Sequence, residues 1–140
     1  MRIFLDANIL VSVLNKEYPL FTWSSRILSL ADNKKYQVFT SPLCLAIAFY
    51  FAQKKNKKLA MGKIKLLASH LSIAPVAVSA VKKTISNSSI NDFEDGLEYY
   101  AALESKCDCI ITEDTGDFYF SDIEVLNSED FFEKYLVSPK

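Results

Sequence analysis

Acidic residues are missing from the entire stretch between Asp32 and Asp92. Residues 1–91 carry 13 Lys/Arg against three acids, whereas residues 92–140 carry 14 acids against three lysines, so the net charge of −1 conceals a strong asymmetry. Histidine is nearly absent too: His70 stands alone, which leaves Ser-His-Asp and Cys-His chemistry poorly supported. The three cysteines form no Cys-x-x-Cys pair, and Cys44, Cys107 and Cys109 read as reduced packing residues. No apolar run approaches the roughly 18 residues a membrane span requires. The chain opens directly on strand-like residues, which leaves no room for a signal peptide and makes a cytoplasmic protein the expectation. Repeats, low-complexity tracts and linkers are also lacking, so 1–140 reads as one domain.

What is present is apolar and ordered in kind. Half the residues are hydrophobic, too many for a disordered chain. Strand-like and helix-like segments alternate, which predicts an α/β fold with a parallel sheet covered on both faces. The predicted strands are 2–5, 36–40, 71–76, 107–112 and 123–126. The predicted helices are 8–14, 20–33, 43–53, 59–70, 78–85, one opening after Asn91-Asp92, and one starting at Ser128. Ser41-Pro42 is a helix start, with serine as N-cap and proline in the first turn. The helix 43–53 is apolar almost all round and is expected to be buried. Its three successive aromatics, Phe49, Tyr50 and Phe51, cannot all face one core.

The chemistry-bearing residues follow the apolar runs. Arg2-Ile3-Phe4-Leu5 stops at Asp6-Ala7-Asn8, and Cys109-Ile110-Ile111-Thr112 stops at Glu113-Asp114. As neighbouring parallel strands, these runs would bring Asp6 and Asp114 together at their carboxyl ends, where open α/β sheets bind ligands. Asp95, in the first turn of the helix after Asn91-Asp92, would point to the same edge. Carboxylates crowd in this way when a cation lies between them. Each acid also has a structural reading. Asp6, Asn8 and Asp92 are natural N-caps, Asn91 with Glu94 matches a capping box, and Asp114 and Asp117 flank a turn at Gly116. The lysine run Lys54, Lys55, Lys57, Lys58 is either a solvated helix–helix turn or, beside an acidic metal site, a weak candidate for nucleic-acid phosphates.

Three segments together, Leu5-Asp6-Ala7-Asn8-Ile9-Leu10, Asp92-Phe93-Glu94-Asp95-Gly96-Leu97 and Ile111-Thr112-Glu113-Asp114 followed by Asp117-Phe118, resemble the PIN-domain nucleases. The resemblance covers nearly the whole chain and implies a three-layer α/β/α sandwich around a central parallel sheet. It implies a metal-dependent ribonuclease of the VapC kind, the toxin of a toxin–antitoxin pair, using Mg²⁺ or Mn²⁺. On this likeness Asp6, Asp95 and Asp114 are the metal-binding and catalytic acids. Asp92 and Asp117 are auxiliaries, and Asn8 and Thr112 are supporting polar residues. RNA as substrate, an antitoxin partner and a homodimer are implied in the same way.

One position departs from the pattern. The family usually places a glutamate in the helix after the second strand, and counting from Ser41 that position is Ile47. The alternative this raises is a catalytically degraded PIN scaffold that binds RNA or a protein partner. Asp92 or Glu94 could compensate for the lost ligand. A haloacid-dehalogenase-like phosphatase or a receiver domain would need a second acid where Asn8 stands, and both fit worse.

Overall fold

The computed structural model describes residues 1–137. Five strands form one all-parallel sheet in the order β3-β2-β1-β4-β5, where β1 is Arg2–Leu5, β2 Gln37–Thr40, β3 Ser72–Ile73, β4 Cys109–Ile111 and β5 Glu124–Leu126. The chain starts in the middle of its sheet. It winds outward through β2 and β3, then returns to lay β4 on the other side of β1. The reversal falls between β1 and β4, which makes their carboxyl ends the topological switch point.

Strand composition explains the central position of β1 and β4. Ile3, Phe4, Leu5, Cys109, Ile110 and Ile111 are all fully buried, as a strand covered on both faces requires. Each large one contributes roughly 1.5–3 kcal/mol by leaving water. Arg2 fixes the amino end of the pair. Its backbone N–H donates to Asp108 Oδ2 at 2.7 Å, and its guanidinium donates to the Ser105 carbonyl at 2.7 and 3.0 Å. The register Leu5↔Ile111 follows, and it aligns the acids that come next.

The helices are α1 (Ala7–Leu14), α2 (Leu20–Leu28), α3 (Pro42–Lys55), α4 (Lys57–His70), α5 (Val78–Ser86), α6 (Phe93–Glu104) and α7 (Ser128–Phe131). They pack as two groups, α1 with α2 and α3, and α3 with α4, on one hand, and α5 with α6 on the other. Gly96 lets α6 approach α5: a Cβ there would lie 2.4 Å from Thr84 Cγ2. Trp23 of α2 meets Phe132 edge to face with centroids 5.3 Å apart, which ties the C-terminal segment to α2.

Several local expectations are corrected. The helix predicted over 20–33 tightens into a 3₁₀ turn at Ser29–Asp32. α3 is not buried all round: only Cys44, Ala48 and Ala52 are, while Tyr50 and Phe51 are exposed. Small residues at i, i+4 spacing give α3 a narrow stripe for close contact with α1 and α4, and the aromatics fall outside it. The helix α6 is capped by Asp92, whose Oδ1 accepts from the Asp95 N–H at 3.0 Å, so the Asn91–Glu94 box is not used. The strand expected over 71–76 shortens to two edge residues, because Pro75 lacks the N–H to extend the ladder. The lysine turn reduces to Asn56. Lys54 and Lys55 end α3, and Lys57 and Lys58 open α4.

Candidate metal centre

Asp6 follows β1 and is 8% exposed, which is low for a carboxylate. It starts α1 as N-cap, and its Oδ1 accepts from the Ala7 N–H at 2.6 Å. Its Oδ2 accepts from the Thr112 hydroxyl at 2.7 Å. Thr112 Oγ1 in turn accepts from Asn8 Nδ2 at 3.1 Å and from the Asp114 N–H at 3.1 Å. Asn8 completes the web by donating to Asp114 Oδ2 at 3.2 Å and accepting from the Glu113 N–H at 3.2 Å. Asn8 and Thr112 therefore lock the two strand-end loops together. The Glu113 Oε1 accepts from the Ser128 backbone and hydroxyl at the start of α7.

A cleft of about 600 Å³ opens above this web. It collects Asp6, Asp92, Asp95, Asp114 and Asp117, so the five expected acids share one space. Among the described residues fifteen line it, of which nine are acids and none is Lys, Arg or His. Val11, Leu20, Ile47 and Phe51 make its apolar wall. The lysine run contributes no residue to the lining. Lys54 lies 4.5 Å from the Tyr50 ring and 5.9 Å from that of Phe51, and Lys55 donates to the Asn15 carbonyl at the end of α1.

Glu98 of α6 was not singled out in the sequence. It lies one turn after Asp95, at i+3 on the same helical face, and is 1% exposed. The Cys44 thiol donates to its Oε1 at 2.6 Å, which gives this cysteine a polar role in place of the pure packing role expected. Ligand atoms of Asp6, Cys44 and Glu98 all lie within 4.8 Å of one another. Asp95 and Asp114 share the cleft without joining that close trio.

The electrostatics record the crowding. Burial, then the charges of Asp92, Asp6, Asp117 and Glu94, pushes Asp95 up to about 7. Burial and hydrogen bonding to Asp6 push Glu98 up to about 11. Burial, followed by the charge of Glu98, raises the Cys44 thiol well above its ordinary range. Without a cation, then, Glu98 holds a proton at neutral pH. The donors are hard oxygens with no basic residue among them, and that set fits a small divalent ion.

A family model described as PIN domain matches residues 2–116. The chain belongs to the PIN-domain family. It is also similar to Ribonuclease VapC1 of Aquifex aeolicus (strain VF5), at 29% identity over 138 residues, 96% of this chain and 95% of that one. Three solved structures share its fold. VapBC2 of Rickettsia felis, solved with a DNA fragment from its promoter, has TM-score 0.67 at 21% identity over 91% of this chain and 98% of that one. VapC20 of Mycobacterium tuberculosis, a sarcin-ricin loop cleaving toxin, has TM-score 0.65 at 14% identity over 87% of this chain and 98% of that one. FitAcB of Neisseria gonorrhoeae has TM-score 0.62 at 16% identity over 91% of this chain and 98% of that one. The α/β sandwich expected from the sequence is thus the observed fold.

Proposed function

We propose that this PIN domain is a divalent-metal-dependent endoribonuclease of the VapC kind. Asp6, Asp95 and Asp114 are its catalytic, metal-holding acids, and Asp92 and Asp117 are auxiliaries. The observation that carries this reading is the cleft lined by nine carboxylates and, among the described residues, by no basic one. A polyanion such as RNA cannot approach that surface unless cations first neutralise it. Similarity to Ribonuclease VapC1 over nearly the full length of both chains supports the same reading.

A bound Mg²⁺ or Mn²⁺ would supply an activated water and a Lewis acid for the phosphoryl group. The chain does the positioning. Thr112 holds the Asp6 carboxylate through one oxygen while the Ala7 N–H holds the other. Asn8 ties Asp114 to the same hydroxyl, so the two strand-end acids move as one body. Asp92 caps α6 and fixes the turn that carries Asp95. Ile47 and Phe51 give the cleft part of its apolar wall. Lys54 at the outer rim by Phe51, with Lys57 and Lys58 beyond it, would take flanking phosphates.

The VapBC and FitAcB neighbours support an antitoxin as protein partner, and the family resemblance supports a homodimer. A cytoplasmic location accords with both. Ile47 favours a second reading, a scaffold that binds RNA or a protein without cutting. Two measurements separate these readings: incubation of a mixed single-stranded RNA pool with Mn²⁺, Mg²⁺ or EDTA, beside Asp95→Asn, and metal uptake by calorimetry. Cleavage that needs the ion and disappears in the variant supports the nuclease. Absence of both cleavage and metal uptake supports the scaffold.

A further inference from the structure

We propose that Glu98 is a ligand of the metal centre, reaching it from α6, and that Cys44 is the residue that positions it. The proposal rests on the metal-dependent reading above and adds to it a carboxylate that the three expected acids do not include. Glu98 is 1% exposed and lines the acidic cleft. Among the described residues no basic side chain pairs with it: the ion pairs are Lys83–Glu104 and Lys134–Glu124, both near the surface. Its side-chain partners are the Cys44 thiol, a weak donor, and Asp6, another acid. A buried carboxylate whose partners are a weak donor and a second acid is costly to ionise, and buried charges in folded proteins pair or coordinate metal. Its oxygen lies within 4.8 Å of the ligand atoms of Asp6 and Cys44, close enough for one ion to bridge Asp6 and Glu98.

The two helices divide the work. From α3, Cys44 reaches under the cleft to Glu98, while Ile47, one turn on, meets the cleft with no donor atom. From α6, Asp95 and Glu98 at i, i+3 spacing present two carboxylates on one face, above the helix's tight contact with α5 at Gly96. The acid that α3 lacks at Ile47 is thus matched by one that α6 supplies.

The test is Mn²⁺ binding by isothermal titration calorimetry on metal-stripped full-length protein, with folding checked by near-ultraviolet circular dichroism. Wild type, Asp6→Asn, Glu98→Gln, Glu98→Asp, Cys44→Ala and Cys44→Ser are compared. Glu98→Gln should weaken Mn²⁺ binding roughly ten-fold or more, Glu98→Asp less. Cys44→Ala should weaken it by a smaller factor, and Cys44→Ser, which restores a donor, should recover most of that loss. If Asp6→Asn loses Mn²⁺ while both folded Glu98 variants bind like wild type, Glu98 is no ligand and the metal centre stands without it. If wild type takes up no Mn²⁺, the metal centre and the role of Glu98 fall together. Should Glu98→Gln fail to fold, unchanged affinity in Glu98→Asp is sufficient to overturn the proposal.

Discussion

Replacing Glu98 by glutamine should make the metal-free protein more stable, by an amount that grows with pH. In the folded chain the Glu98 pKa is raised from 4.5 to about 11, first by burial and then by hydrogen bonding to Asp6. The unfolded chain releases this proton near 4.5. Stability associated with protonated Glu98 is therefore complete below about 4.5 and is lost steadily as pH rises toward about 11. At pH 7 the loss depends on the gap between 4.5 and 7, since the folded group is still protonated there. At about 1.4 kcal/mol per unit, this comes to about 3 kcal/mol. Glutamine has the shape of the neutral acid, can accept from Cys44 and can donate toward Asp6, and it carries no such penalty. Urea unfolding in EDTA, wild type against Glu98→Gln, should show near-equal stability at pH 4.5 and a gap of about 3 kcal/mol at pH 7. In a domain of this size that gap raises the melting temperature by roughly 10 °C. Two pH profiles that run parallel would mean that Glu98 is not protonated in the metal-free native state.

The other expectations concern the same cleft and its supports. Because Asp95 is raised to about 7, its proton must leave before the carboxylate takes a cation, so Mn²⁺ affinity should climb between pH 6 and 8. Calorimetry in buffers of different ionisation enthalpy should register the released protons, and a pH-independent affinity would count against the assignment of Asp95. Thr112→Val removes the hydroxyl that serves Asp6, Asn8 and the Asp114 N–H together. It should cost roughly 1–3 kcal/mol in urea unfolding and loosen Mn²⁺ binding. Gly96→Ala forces a methyl onto Thr84 and should destabilise by roughly 1–3 kcal/mol, and Gly96→Ala/Thr84→Ser should recover part of the loss in the same assay.

The parts of the site legible in the sequence were those written as endings of strands. Leu5 to Asp6 and Thr112 to Asp114 mark where apolar runs stop, and a parallel sheet puts such stops in register. Asp92 and Asp95 were legible because a helix start has its own residue preferences. Glu98 was hidden. A glutamate two turns into a helix, between Leu97 and Tyr99, looks like a solvated residue, and its burial depends on where α6 lies against Cys44, 54 positions away. The signal that could have found it is the i, i+3 spacing from Asp95, read together with the missing acid at 47. The apolar composition of α3 misled for a related reason. Composition reports how many apolar residues a helix has, but only packing decides which stripe is covered, and here small Cys44, Ala48 and Ala52 won over Tyr50 and Phe51. Lysine spacing, likewise, did not reveal that Lys55 reaches back to the end of α1.

The sheet order also constrains when the acidic cleft can be completed. Of the five strands the central one, β1, precedes the others in the sequence, and the strand that completes its carboxyl edge, β4, begins at Cys109. Until that segment has been synthesised and has slotted in beside β1, Asp6 has no Thr112 to hold it and no Asp114 beside it. A nascent chain therefore lacks the complete cleft for most of its synthesis. The complete cleft arises in one late step, when β4 arrives beside β1: a chain truncated before β4 keeps Asp6, Asp92, Asp95 and Glu98 but lacks Thr112 and Asp114, which tie the strand ends together.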